Sequence, residues 1–380
     1  MPNHGAQSLV QAPGAVSSAR RVLARFAGSL VDLSMYGFGD DANPEPSPGT
    51  FNMSAIARRL GWIERAGGTP VISLYSAPAW MRDTGSAAGF NRPPTPDHYQ
   101  DFATLCAHVA VAFPEVRYFV VWNELKGFWN PTTRSWNFEG YTAMYNDVYR
   151  AIKKVRPDAL VGGPYAVMSA QPVPVRRVVS TVNGPFGYLD QGMLEAVSYW
   201  LAHKAGADFV AVDGATANAK SGQELMDAVT AAEQYAAVDA WIRSQTTLPI
   251  WWMESHIEPA GWTAAQGAAA RVATLAVMAS SGASVGMQWQ PQEQIGWPDE
   301  GLWTSTLVPG GGQPTPLAGV LPKVLPVLER RPVLATGQPS GVLVASDAAG
   351  TVVVNTNARA ADALVGSSRV ALAPGEVLVR

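Results

Sequence analysis

The chain has 380 residues, of which 47% are hydrophobic and 15% charged, and its net charge is −3 from 27 basic and 30 acidic residues. This composition excludes a disordered chain, and the length suffices for one large domain with a small appended one. The basic residues form no block or stripe, so we expect neither a nucleic acid nor a membrane as a partner. The start of the chain lacks the basic-then-apolar order of a secretory signal, which leaves the cellular location open.

The sequence also limits the chemistry. Cys106 is its single cysteine and lies in an apolar helical pattern. Because there is one cysteine, an intrachain disulfide and a cysteine-based zinc site are both excluded. The five histidines do not cluster with carboxylates at ligand spacing, and no phosphate-binding glycine loop or Gly-x-Ser-x-Gly elbow occurs. We therefore expect no metal and no cofactor.

In chain order, predicted strands alternate with predicted helices. Residues 1–15 are rich in Gly, Pro and Ala, and we expect a flexible segment there. Predicted strands cover 30–35, 70–75, 116–122, 160–163, 207–212, 248–253 and 283–289. Predicted helices cover 17–26, 54–66, 97–112, 139–155, 189–205, 221–244, 263–280 and 317–328. Strands separated by helices indicate βαβ units and a parallel sheet, so the predicted fold is an α/β (β/α)8 TIM barrel over residues 16–332.

The barrel prediction leaves one strand to find. A closed (β/α)8 barrel has eight strands, and seven are visible in the sequence. We expect the first strand to lie within or before residues 1–15. From Val333 onward the pattern changes to short strands at 341–345, 351–354, 369–372 and 376–379, separated by Gly, Asp, Asn and Pro. This predicts a C-terminal β-sandwich-like module over residues 333–380 that packs against the barrel.

Two glutamates each follow an apolar strand. In the stretch Val120–Leu125 an apolar run is followed by the polar pair Asn123 and Glu124. Glu254 follows the strand predicted at 248–253. Charged groups avoid burial unless they are paired or functional, and functional groups of these barrels sit at the C-terminal strand ends. Two carboxyl groups flanking a glycosidic bond are the equipment of glycosidases, in which one protonates the leaving oxygen and the other attacks the anomeric carbon.

Further polar and aromatic residues follow the predicted strands or lie in the adjoining loops, namely Trp80, Trp129, Tyr165, Asp213, His256 and Trp289. Asp213 either caps a loop or touches the substrate. His256 is either a partner of Glu254 or an exposed side chain. Trp80 and Trp129 either form platforms for neighbouring sugars or pack in the core.

The strand ends resemble those of a known group of enzymes. The runs Trp122-Asn123-Glu124 and Trp252-Met253-Glu254, with Trp289, resemble clan A retaining glycoside hydrolases. The chain is most similar to family 39, which holds β-xylosidases, through its 162–164 Gly-Gly-Pro strand, its 76–81 loop and its terminal β-module. The resemblance implies that Glu124 is the acid/base, that Glu254 is the nucleophile, that Asn123 binds the sugar 2-hydroxyl and that Trp289 forms the subsite floor.

The sequence departs from the clan at one strand end. Many members carry His and Tyr after the sixth barrel strand, where the Tyr orients the nucleophile. This chain has Val212-Asp213-Gly214-Ala215-Thr216 there, so either Asp213 or another residue takes that role, or the subsite differs.

The leading hypothesis is a retaining O-glycosidase acting on an oligo- or polysaccharide. One alternative is a non-catalytic carbohydrate-binding protein on a degenerate barrel, and another is a barrel enzyme that uses two carboxylates on a non-sugar substrate. The sugar, its anomer, endo or exo action and the oligomeric state stay open at this point.

Overall fold

A computed structural model of the chain describes residues 13–36, 43–83, 91–216, 226–256, 262–293 and 301–380. Its centre is a curled sheet of seven parallel strands in which neighbours in space are also neighbours in the chain. The strands are β1 (Leu30–Ser34), β2 (Thr69–Leu74), β3 (Tyr118–Val121), β4 (Leu160–Val167), β5 (Phe209–Ala215), β6 (Ile250–His256) and β7 (Val285–Gly286). Because every pair is parallel, each connection crosses back along the sheet, and the predicted α/β class is confirmed.

Eight helices are found in the described residues, and those from α2 to α7 each connect two consecutive strands. They are α1 (Pro13–Leu23), α2 (Ser54–Arg65), α3 (Tyr99–Ala112), α4 (Phe138–Val155), α5 (Gln191–His203), α6 (Ala228–Arg243), α7 (Ala264–Ser281) and α8 (Pro316–Leu328). In the part of the chain that the structure describes, none of them is long and apolar enough to cross a membrane.

Most predicted helices are found within a few residues of their predicted bounds, and local capping explains the differences. The helix predicted at 221–244 starts at Ala228, because the Asp227 carboxylate accepts the amide of Thr230 at 3.0 Å and caps the helix there. The predicted residues 221–225 lie outside the described residues. The helix predicted at 17–26 begins earlier, at Pro13. Residues 13–15, the last three of the segment expected to be flexible, are therefore helical. Residues 1–12 of that segment lie outside the described part.

Large side chains fill the interior of the curled sheet. Phe209 stacks on Trp251 with ring centroids 4.0 Å apart, and Val71, Val120, Tyr165, Ala211, Met253 and Met287 complete this cluster. The Phe209 ring requires a glycine on the neighbouring strand, because a Cβ at Gly162 would lie 2.2 Å from it. The interior is therefore a packed core, and in parallel barrels the functional groups stand at the C-terminal ends of the strands.

The sheet is open at one seam. The end strands of its order are β1 and β7, and a groove of about 620 Å³ lies between them, lined by Leu30 on one side and by Val285 and Gly286 on the other. Apolar side chains of α7 and α8 form much of the rest of its wall. The described residues hold seven barrel strands, so the eighth strand of the predicted closed barrel is not among them.

The last fifty residues form an antiparallel β-structure, as the sequence predicts. One sheet joins β8 (Val333–Leu334), β9 (Val342–Asp347), β10 (Gly350–Asn355) and β13 (Val377–Val379), and a hairpin joins β11 (Ala361–Val365) to β12 (Ser368–Leu372). One face of the larger sheet packs on the hairpin through Val344 and Val353. Its other face joins the main core through Leu343 and Val352. This structure therefore packs directly against the helices of the barrel.

Candidate active site

The chain turns sharply where β3 ends. Trp122, Glu124 and Leu125 all adopt left-handed backbone conformations, with φ of 73°, 51° and 49°. Such conformations are costly for residues other than glycine and persist where the surroundings enforce them, often at functional sites. Here the buried Trp122 indole donates to the carbonyl of Lys126 at 2.8 Å and packs edge-on against Tyr75. The anchored tryptophan thus holds the turn that presents the two polar residues.

Lys126 connects these two residues. Its ammonium lies 2.7 Å from Oδ1 of Asn123 and 2.7 Å from Oε2 of Glu124. Asn123 is buried, and among the described residues its Nδ2 has no hydrogen-bond partner. Glu124 is more open, with 21% of its side chain exposed. The turn therefore offers a buried amide donor and a partly exposed carboxylate side by side.

Glu254 reaches the same space through a bulge in β6. Trp251 and Met253 both lie in the interior cluster while Trp252 packs outside it, and the register with β5 shifts between Trp252 and Glu254. A bulge adds one residue to a strand and redirects the side chains that follow. It turns Glu254 toward the end of the barrel interior, where only 2% of the residue is exposed.

Three groups hold the Glu254 carboxylate and its surroundings. The hydroxyl of Tyr165, which stands at a second bulge, donates to Oε1 at 2.6 Å. Nε2 of His256 lies 3.2 Å from Oε2, and the His256 ring stacks on Trp289 with centroids 4.3 Å apart. Burial raises the pKa of Tyr165 well above its usual value, and the charge of Glu254 raises it further, so Tyr165 stays a donor.

Buried polar contacts outside the barrel fix the strand that carries Glu254. The indole of Trp252 donates to Asp239 of α6 at 2.9 Å. Arg271 of α7 is buried and donates to the carbonyl and the hydroxyl of Ser255. Because the residues on both sides of Glu254 are tied to helices, the carboxylate sits on a rigid support.

A third carboxylate joins the two glutamates. Asp213 stands opposite Glu254 in the register of β5 and β6, and strand alternation after Phe209 and Ala211 turns it inward. One carboxylate oxygen from each of Glu124, Asp213 and Glu254 lies within 4.8 Å of the other two. Asp213 is only 3% exposed. Burial raises its pKa well above the usual range, and the charges of Glu124 and Glu254 add to that rise.

The three carboxylates are also the group of described residues that could hold a metal ion. Hard cations such as Ca²⁺ and Mg²⁺ take six or more oxygen ligands, many of them carboxylates, carbonyls or water. In this site the Lys126 ammonium already neutralises Glu124 at 2.7 Å, which disfavours a second cation beside it. The donor set suits proton transfer better than metal binding.

The structure brings most of the predicted site residues together. Asn123, Glu124, Tyr165, Asp213, Glu254, His256 and Trp289 are linked by the contacts described above. Trp80 is half-buried, donates its indole to the carbonyl of Glu45 at 3.0 Å and meets His98 edge-on. Trp129 packs edge-on against Trp136 with Arg176 over its ring.

Sequence reasoning missed two charged residues and one role. Lys126 lies two positions after Glu124, a spacing with no periodic signal, and only the left-handed turn brings its ammonium back to the pair. Asp32 is a buried carboxylate in the middle of β1 that accepts hydrogen bonds from Ser73, and a charge inside an apolar strand was its signal. Tyr165 contacts Glu254, whereas the family resemblance implies a Tyr after the sixth strand for such a contact.

The fold is that of the clan A glycoside hydrolases, several of which superpose on most of this chain. More particularly it is the fold of family 39. A family 39 glycoside hydrolase from Bacteroides cellulosilyticus WH2 superposes with a TM-score of 0.63 at 14% identity, over 95% of this chain and 77% of that one. A monomeric β-xylosidase from Caulobacter crescentus CB15 gives 0.61 at 16% identity, over 96% and 73%.

A third similar structure carries a different enzyme name. A bacterial orthologue of human α-L-iduronidase superposes with a TM-score of 0.59 at 14% identity, over 96% of this chain and 64% of that one. No known family profile matches the sequence, and no curated protein sequence is significantly similar to it. At these identities the likeness rests on the fold.

Proposed function

We propose that this protein is a retaining O-glycosidase that hydrolyses an oligo- or polysaccharide by double displacement. The observation that carries the proposal is the short separation of Glu124 and Glu254, whose nearest-paired oxygens lie within 4.8 Å. Retaining glycosidases hold their two carboxyl groups about 5–5.5 Å apart, whereas inverting enzymes leave about 6.5–9.5 Å for a water molecule. The separation favours direct attack by one carboxylate.

The surroundings of the two glutamates support different roles. Glu254 is buried and held by Tyr165 and His256, which suits a nucleophile that must attack one fixed carbon. Glu124 is partly exposed and can exchange its proton with water, which suits the acid/base. These are the same roles that the family resemblance implies.

In the first step Glu124 gives a proton to the glycosidic oxygen while an oxygen of Glu254 attacks the anomeric carbon. The glycosidic bond breaks and a glycosyl ester forms on Glu254. In the second step Glu124 takes a proton from water, whose oxygen attacks the anomeric carbon and releases Glu254 as a carboxylate.

The remaining predicted site residues are proposed to bind the sugar. The unpartnered Nδ2 of Asn123 is a buried donor that a sugar hydroxyl would satisfy, and we assign it the 2-hydroxyl. Trp289, backed by His256, forms an aromatic floor for the ring being cleaved. Tyr165 and Asp213 complete the wall of this subsite, and the half-buried Trp80 and Trp129 are proposed as platforms for neighbouring sugars.

We also propose the finer architecture that the sequence predicts. The barrel over residues 16–332 would be completed by an eighth strand, and residues 333–380 would be a separate module. The groove between β1 and β7 supports this, because it is a largely apolar slot between the two end strands of the sheet that the described residues form. Counting that strand first places Glu124 after the fourth strand and Glu254 after the seventh.

The experiment is hydrolysis of 4-nitrophenyl glycosides of xylose, glucose, galactose and iduronic acid, in both anomers. We expect turnover of at least one substrate, loss of turnover in Glu254→Gln, and a fall of about 10²–10⁴-fold in Glu124→Gln. Asp208→Asn is the matched control, because Asp208 pairs with Lys153 at the start of β5, away from the site. Near-normal hydrolysis by Glu254→Ala without rescue by azide would refute the assignment.

A further inference from the structure

Double displacement needs two carboxylates, yet a third one, Asp213, lies between them. It is as buried as Glu254, and one of its carboxylate oxygens lies within 4.8 Å of an oxygen of Glu124 and of Glu254. The charged and titratable groups around it come from three strands: Glu124 and Lys126 after β3, Tyr165 on β4, and Glu254 on β6. Among these, only the ammonium of Lys126 carries a positive charge.

A hydrogen bond between two carboxyl groups requires that one of them carries a proton, because two carboxylates both only accept. Lys126 stabilises the negative charge of Glu124 at 2.7 Å. Asp213 has no such cation in direct contact among the described residues, and its burial penalises a charge there. The burial of Asp213 and the contact of Lys126 with Glu124 therefore favour Asp213 as the member of the pair that holds the proton.

We propose that Asp213 is a positioning residue that stores the catalytic proton and passes it through Glu124 to the glycosidic oxygen. This inference rests on the proposed function. It differs from a simple substrate contact, since Asp213 acts through Glu124.

The charges balance over the whole cycle. At rest Glu254 is ionised and the Asp213–Glu124 pair shares one proton, so the three carboxyl groups carry two negative charges. When the proton goes to the leaving oxygen, the pair carries both charges, while Glu254 loses its own charge on forming the ester. When water attacks, its proton returns to the pair and Glu254 regains its charge.

These changes in charge give a reason for Asp213 to lie beside the proposed nucleophile as well as the proposed acid. Its register partner is Glu254, and one oxygen of each lies within 4.8 Å of the other. While Glu254 is ionised, its charge opposes loss of the proton from Asp213. The ester removes that charge, so proton release becomes favourable as the nucleophile attacks.

The test is the pH dependence of kcat/KM in Asp213→Asn, with two leaving groups on the sugar that the wild type accepts. An asparagine can donate a hydrogen bond to Glu124. It cannot store the catalytic proton, and it carries no negative charge that would oppose ionisation of Glu124. We expect the alkaline limb to move down by about one pH unit or more with a phenyl glycoside, whose leaving group needs the acid. With the 2,4-dinitrophenyl glycoside, whose leaving group needs little protonation, we expect kcat/KM to stay within a few fold.

Two further variants sharpen the test. Lys126→Met removes the cation from Glu124 and is expected to move the alkaline limb up, opposite to Asp213→Asn. Asp239→Asn is the control for the loss of a buried carboxyl group, because Asp239 lies behind β6 on Trp252, and we expect no movement of the limb. Asp213→Glu is expected to restore part of the wild-type profile.

The outcomes separate the possible roles. An unmoved limb with equal losses for both leaving groups indicates a merely structural Asp213, and a rise in KM alone indicates a substrate ligand; either overturns the proposal. If the wild type cleaves no glycoside, the proposed function fails, and carbon-13 NMR titration of labelled Asp and Glu still tests the shared proton. A carboxyl that stays protonated at neutral pH in the wild type and is lost in Asp213→Asn supports the inference, and its absence refutes it.

Discussion

The strand that carries the proposed nucleophile depends on a buried acid, and this gives a prediction with a definite size. Asp239 of α6 accepts hydrogen bonds from the Trp252 indole at 2.9 Å and from the Ser281 hydroxyl at 2.5 Å. Burial raises its pKa from the usual 3.8 to about 6, although both hydrogen bonds oppose the rise. A difference of this size corresponds to about 3 kcal/mol, at about 1.36 kcal/mol per pKa unit.

The sign follows from proton binding. Between about pH 4 and pH 6 the folded protein keeps a proton on Asp239 that the unfolded chain has lost. The contribution of Asp239 is therefore fully present below the unfolded pKa and is lost as the pH rises through the folded value. Asp239→Asn lacks this loss, because an amide does not titrate.

The variant is expected to keep the local contacts. The asparagine oxygen accepts from Trp252, and its amide donates to the Ser281 oxygen, whose hydroxyl can turn to the carbonyl of Met278, 3.0 Å away. We expect the stability of Asp239→Asn relative to the wild type to rise by about 2.4 kcal/mol from pH 4 to pH 7 and to stay nearly level above that.

The assay is urea unfolding of both proteins at a series of pH values, followed by tryptophan fluorescence. The titrations of all other groups cancel in the difference between the two proteins, provided that they lie far from Asp239. A stability difference that does not change with pH would show that the burial of Asp239 carries no such penalty, and the reasoning would be wrong.

Four further predictions follow from the site and the sheet. Tyr165→Phe removes a 2.6 Å hydrogen bond to Glu254, and we expect it to lower kcat/KM about 10–100-fold while the stability of the fold stays unchanged. The measurement uses the best aryl glycoside, and an unchanged rate would contradict the role of Tyr165. EDTA is expected to leave hydrolysis unchanged, and a loss that Ca²⁺ or Mg²⁺ restores would refute a metal-free site. Gly162→Ala brings a Cβ to 2.2 Å from Phe209, and we expect it to lower the free energy of unfolding in denaturant by about 1–3 kcal/mol. An unchanged free energy of unfolding would show that Phe209 moves freely. Hydrogen exchange is expected to show protection of β1 and β7 amides that face the groove, whereas exchange at the rate of an exposed edge would contradict closure by an eighth strand.

The alternation of elements was readable from the sequence because it depends on local patterns. Apolar runs such as 116–122 and amphipathic stretches such as 139–155 predict strands and helices over short windows, and their alternation predicts a parallel sheet. Where the bounds differ, a local cap such as Asp227 sets the helix start. Such caps are visible in the sequence only as one polar residue among several.

The two glutamates were also readable, because a charge at the end of an apolar strand is rare without a function. The order of the two glutamates along the chain and the tryptophans beside them indicated the family resemblance. Overall identity to the solved structures is only 14–16%. The strand ends of a parallel barrel converge at one face, and so two residues far apart in the chain were expected to meet.

The tertiary structure alone decided how the site is built around them. The left-handed turn at Trp122 returns Lys126 to Glu124, and the bulge in β6 turns Glu254 inward and sets it beside Asp213. These relations depend on single backbone conformations and on side-chain distances of a few ångströms. Sequence periodicity averages over such detail, and for this reason the approach of Asp213 to the two glutamates and the contact of Lys126 with Glu124 emerge only from the fold.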